Sequence, residues 1–125
     1  PAEFKKAYEK MKLGDHSVIY EHGSIGEKNE YFGISNRPPH FFEKAVDNGW
    51  LKWIFCGHDH LNTLSLTYKG IRMTYGMSID YLGYFGIAKQ YIQRGATLIT
   101  RKTDGNIDIT MVPLTAVVST RVRGA

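Results

Sequence analysis

A mixed α+β arrangement whose second half is mostly antiparallel β is predicted by three features of this sequence. Residues 3 to 12 place Phe4, Ala7, Tyr8 and Met11 at helical spacing, with Lys5, Lys6, Glu9 and Lys10 on the other face. Residues 63 to 68 alternate Leu64, Leu66 and Tyr68 with Thr63, Ser65 and Thr67, and Lys69-Gly70 then turns the chain into Ile71, Met73 and Tyr75. The same hairpin pattern recurs in Ala96 to Thr100, the Asp104-Gly105 turn, and Ile107, Ile109 and Met111. At 125 residues the chain has one domain's length, so residues 1–125 are expected to form a single piece. A chain of that size buries roughly two thirds of the surface its unfolded form exposes.

The elements follow in order. The first helix is stopped near Gly14, and Val18, Ile19 and Tyr20 form a short strand. His22 to Asn36 is polar, glycine-bearing and without period, which predicts a loop. Asn36 and Pro38-Pro39 supply the chemistry of a helix start, Phe42, Ala45 and Val46 lie on one face, and Gly49 suits the left-handed position after the last turn. A helix over about 39–48 results. Leu51 to Cys56 is nearly continuous in apolar character, which predicts a strand buried on both faces in the middle of a sheet.

Composition narrows the function. Hydrophobic residues at 42% and charged ones at 22% are ordinary for a globular protein. No apolar run approaches the roughly 20 residues of a membrane helix, so no membrane partner is expected. The net charge is +4, but the lysines and arginines are scattered and form no basic block, so no nucleic acid is expected either. Cys56 is the single cysteine, which rules out an intrachain disulfide and leaves the compartment open. The chain opens at Pro1 without an initiator methionine or a signal-like segment, and it reads as part of something longer.

The most informative stretch is Trp53-Ile-Phe-Cys-Gly-His-Asp-His-Leu-Asn62, an apolar strand that runs into Gly57 and then presents two imidazoles. Alternate residues of an extended segment face the same way, so His58 and His60 can reach one metal cluster while Asp59 points elsewhere. Gly57 is expected to allow a tight or unusual backbone angle. Imidazole is the commonest side-chain metal ligand. Cys56 with the two histidines has the donor chemistry for one zinc ion, although a cysteine ending an apolar strand more often packs as a small hydrophobe. His16, His22 and His40 read as surface histidines, and Asp80 and Tyr81 as residues of a glycine-rich turn. Tyr75, Tyr81, Tyr84 and Phe85 form an aromatic group, read as core packing.

The series from Trp53 to Asn62, then Tyr68-Lys-Gly-Ile-Arg72 and Tyr75-Gly76, resembles the carboxyl-terminal half of the calcineurin-like metallophosphoesterases, closest to their purple-acid-phosphatase-like branch. The resemblance implies half of a four-layer α/β/β/α sandwich. It also implies that His58 and His60 ligate two different metals of a binuclear centre (iron, manganese or zinc), with Gly57 shaping the turn and Asn62 in support. The activity implied is hydrolysis of phosphate esters by a metal-activated hydroxide. Tyr75-Gly-Met-Ser-Ile-Asp-Tyr81 departs from relatives that carry a basic residue and a further glycine there.

The family's remaining ligands, in Asp-x-His, Gly-Asp-x-x-Asp and Gly-Asn-His segments, are not in this sequence. No catalytic residue is therefore assigned within it. The expected partners are a phosphoester substrate and the amino-terminal half of the same domain, and the chain alone is expected to be inactive. The alternative is a non-catalytic β-rich binding or assembly module. A half-sandwich leaves an apolar sheet face open, so self-association is expected of it.

Overall fold

A computed structural model describes residues 2–25, 40–80, 82 and 94–114. The chain divides into two compact units, Pro1–Tyr75 and Gly76–Ala125. The described residues have mixed α+β content, with one mixed sheet and one antiparallel ribbon.

In the first unit, α1 (Ala2–Lys12) buries Phe4 and Ala7 and sets Tyr8 and Met11 against the core, as its spacing predicts. Glu3 in its first turn and Lys10 and Lys12 in its last complement the helix dipole. Gly14, at φ 79°, supplies the left-handed residue past the end. Asp15 closes the turn that follows, accepting from the Ser17 amide at 2.9 Å and from Lys10 Nζ at 3.0 Å. Hydrogen bonds from Ser17, then from Lys10, hold its carboxyl down at about 2.

Four strands follow: β1 (Val18–His22), β2 (Trp53–Cys56), β3 (Ser65–Tyr68) and β4 (Ile71–Tyr75), with α2 (His40–Asn48) between β1 and β2. The predicted helix start at residues 36–39 and most of the predicted loop lie outside the described residues. Gly49, at φ 68°, ends α2 as expected. The sheet order is β1-β3-β4-β2. The β1/β3 and β3/β4 pairs are antiparallel, whereas β2 runs parallel to β4. Lys69 (φ 50°) and Gly70 (φ 78°) both take positive φ, the two-residue turn that matches the twist of a hairpin.

Both helices cover one face of this sheet. Leu66, Tyr68, Ile71, Met73 and Tyr75 point into a cluster with Phe4, Ala7, Phe42 and Ala45. Phe4 lies 4.7 Å from Tyr75 between ring centroids, and Phe42 stacks on Tyr68 at 6.1 Å.

Two expectations are corrected here. Among the described residues β2 is an edge strand and not a central one, and Phe55 remains 42% exposed. An apolar run reports what covers the faces of a strand and carries no information about its in-plane neighbours. The central strands are β3 and β4, and they bury both faces where the alternation predicted one. The second face is hydroxyl-bearing and internally paired: Ser65 and Thr74 share a 2.7 Å hydrogen bond, and Arg72 Nε donates to Ser65 Oγ at 3.0 Å. Paired hydroxyls can be buried at little cost, so polar character on alternate residues did not mark a wet face.

His22 is a third correction. A register shift between Tyr20 and His22 sets it opposite Ser65, and its ring nitrogens are buried without a hydrogen-bond partner among the described residues. Burial, then the Arg72 charge, push its pKa below the ordinary 6.5, with Glu21 opposing. A histidine kept neutral when folded contributes stability above its unfolded pKa, and that contribution is lost as pH falls through the lower folded value. Urea midpoints should therefore drop between about pH 7 and pH 5. His22→Gln should flatten that slope, and an unaltered slope in the variant would remove His22 as its cause.

In the second unit, β5 (Gly95–Arg101) and β6 (Ile107–Pro113) pair in continuous antiparallel register from Gly95↔Pro113 to Arg101↔Ile107. The predicted turn is present, with the Asn106 amide donating to Asp104 Oδ1 at 2.9 Å and Gly105 at φ 86°. Asp80 is a turn residue, its carboxylate accepting from the Leu82 amide at 3.0 Å. Tyr81, Tyr84 and Phe85 lie outside the described residues, while Tyr75 is packed in the core of the first unit.

Candidate metal centre

The strand order explains where the histidines stand. β2 and β4 run parallel and end level at Cys56 and Tyr75, yet the next strand, β3, lies on the far side of β4. Residues 57–64 must therefore cross over the carboxyl end of β4 before β3 begins. The Tyr75 amide donates to the Leu64 carbonyl at 3.0 Å, which seats the end of that crossing. His58 and His60 are carried on it, at the carboxyl ends of parallel strands, a position that exposes side chains outward from the sheet.

Within the crossing the side chains differ in exposure. The His58 side chain is 85% exposed and His60 is half-buried, whereas the Asp59 side chain between them is only 3% exposed. Asp59 points inward. Its Oδ2 accepts from Asn62 Nδ2 at 3.2 Å, and its backbone carbonyl accepts the Asn62 amide at 3.2 Å. Asn62 is fully buried, so it braces the turn from beneath. Its contact is with Asp59, one step removed from the imidazoles. The Asp59 Oδ1 atom lies 3.6 Å from His58 Nδ1, a contact longer than a hydrogen bond.

Tyr75 forms the floor, fully buried. Burial pushes its phenol well above the ordinary tyrosine range, the Asp59 carboxylate pushes in the same direction, and Asn62 opposes. Tyr75 packs in the core and Asp59 points inward, as the residues predict, but a part for either in bracing the turn was not predicted. The available signal was the i, i+3 spacing of Asp59 and Asn62, which suits a turn closed by its own side chains.

The backbone expected at Gly57 is not found. Its φ is not positive, and an added Cβ would meet nothing within 4 Å. The close approach occurs instead at Gly23, at φ 79°, where a Cβ would strike the Thr63 carbonyl. Ser24 and Thr63 are joined there by the Thr63 amide to the Ser24 carbonyl at 2.9 Å and the Ser24 amide to Thr63 Oγ1 at 3.2 Å. The end of β1 thus clamps the segment that follows the histidines.

One exposed and one half-buried imidazole are suitable donors for borderline and divalent metals, and as a pair they fit a share of a larger ligand set. Among the described residues no group of three or more His, Cys, Asp or Glu side chains gathers to hold a metal ion. Cys56 packs against the core, and burial raises its thiol pKa.

The mixed α+β chain shows a partial likeness to a phosphatase-like protein. It is 41% identical over 44 residues to the probable inactive purple acid phosphatase 14 of Arabidopsis thaliana. The match takes in 35% of this chain and 11% of that protein, so the chain spans about a tenth of the relative's length. No family model matches the chain. No solved structure matches it.

Proposed function

We propose that this chain is one part of a binuclear metal-dependent phosphoesterase, to which it contributes His58 and His60, one to each of two metal ions. The observation that carries this reading is the split within the crossing: the His58 imidazole is exposed at a strand end, His60 follows half-buried two residues on, and Asp59 between them is turned into the core on a turn braced by Asn62. Two such ions, with His58 and His60 among their ligands, would supply an activated water and neutralise the oxygens of a phosphate ester. The ions are iron, manganese or zinc, each compatible with imidazole. This chain's own share is orientation: Asn62 and Tyr75 fix the turn, and the turn fixes the spacing of the rings.

Two imidazoles cannot hold two cations, nor protonate a departing alkoxide. The chain assayed on an aryl phosphate with added manganese, iron or zinc is therefore expected to show no appreciable turnover. In a longer protein that encodes it after Asp-x-His, Gly-Asp-x-x-Asp and Gly-Asn-His segments, His58→Ala and His60→Ala should each lower hydrolysis by roughly a hundredfold or more. Full activity in either variant would refute the assignment.

A second reading, a non-catalytic binding or assembly module, draws on the exposed Ile19, Trp50 and Phe55 and on the relative's description as inactive. It predicts a longer protein without phosphatase activity and a chain that sizes as an oligomer in solution.

A further inference from the structure

We propose that Asp59 is the positioning residue of the histidine pair, its buried carboxylate setting how the His58 imidazole is presented. The proposal rests on the reading of His58 and His60 as metal ligands and extends it to a residue that no motif marks.

An imidazole that is 85% exposed has little packing to select a rotamer. Among the described residues the polar group against the His58 ring is Asp59 Oδ1, at 3.6 Å. That carboxylate is itself immobile. Its other oxygen is bonded to Asn62, its carbonyl closes the turn onto the Asn62 amide, and the Tyr75 phenol lies beside it. Tyr75 is packed on Phe4 of α1. Asp59 is therefore held by Asn62 with Tyr75 beside it, and its Oδ1 meets the exposed ring.

The residue type at position 59 is itself informative. A turn of this kind is closed equally well by Asn or Ser, whereas a carboxylate at 3% exposure carries a desolvation cost that neither of those does. The negative charge sits beside an imidazole that would take on part of a cation's charge. Outer carboxylates of this kind orient a metal-binding histidine and strengthen its hold.

The test uses the full chain with its histidine rings isotopically labelled, and Mn2+ alone as the probe. Without metal, the His58 ring should relax as an ordered group, more slowly than the exposed His16 and His40. Mn2+ should broaden His58 and His60 before those two controls. In Asp59→Asn, which preserves shape and removes charge, the β3–β4 amide pattern should persist. The His58 ring should then become as mobile as that of His40, and roughly tenfold more Mn2+ should be needed for the same broadening.

Wild-type behaviour of the Asp59→Asn rings in both measurements would overturn the proposal. A wild-type His58 ring already as mobile as His40 would overturn it without any variant. If Mn2+ broadens all the wild-type histidines alike, the metal-ligand reading fails instead, and the metal-free relaxation still decides the role of Asp59.

Discussion

Gly23→Ala is expected to destabilise the chain by roughly 3 kcal/mol or more, combining a left-handed backbone that L side chains resist with an overpacked contact. Gly23 sits at φ 79°, and the atoms its Cβ would meet are the carbonyl oxygen and carbon of Thr63. A side chain in that place could rotate away. A backbone carbonyl cannot, and this one is fixed by the hydrogen bonds between Ser24 and Thr63. Tyr20 adds to the restraint by donating its hydroxyl to the Gly23 carbonyl at 2.9 Å. Thr63→Ala, which deletes a side-chain partner and leaves the backbone clamp, should cost only about 1 kcal/mol. Urea titration distinguishes the two, and a Gly23→Ala midpoint at or above that of Thr63→Ala would dismiss the clamp.

Tyr75→Ala should cost about 3 to 5 kcal/mol, the range for emptying a buried aromatic site. Tyr75 is fully buried, its ring lies 4.7 Å from that of Phe4, and its backbone closes the sheet at both Cys56 and Leu64. Tyr75→Phe separates ring from phenol. It keeps the packing and should cost far less than the Ala variant, about 1 kcal/mol or below. Amide exchange should then quicken in residues 58–62 and not in β3. Equal midpoints for the Phe and Ala variants would show that the ring contributes nothing beyond its hydroxyl.

Much of the fold was legible in the residues, and the legible parts are local. The Lys69-Gly70 and Asp104-Gly105 turns, the period of α1 and the glycine after α2 each depend on neighbours within a few positions, which a linear reading sees directly. What escaped depends on partners far along the chain. The edge position of β2 is decided by β3 and β4, which lie beyond it in sequence. Burial of the Ser65 and Thr74 face follows from their mutual hydrogen bond. His22 loses its surface character through a bulge opposite Ser65.

The candidate site divides in the same way. The inward direction of Asp59 follows from alternation and its burial agrees with it, whereas alternation alone did not separate an exposed His58 from a half-buried His60. Tyr75 as the floor required knowing that the strand after the histidines lies across β4. Nothing within residues 53–62 states that.

That crossing also bears on the order in which the chain assembles. The β3–β4 hairpin closes over a two-residue turn, an inexpensive loop, whereas β2 aligns with β4 only when Trp53 finds Arg72. The bridge between them has no floor until Tyr75 is in place. The placement of the two rings therefore depends on the hairpin, so a substitution that displaces Tyr75 is expected to disturb the histidine turn while touching neither ring.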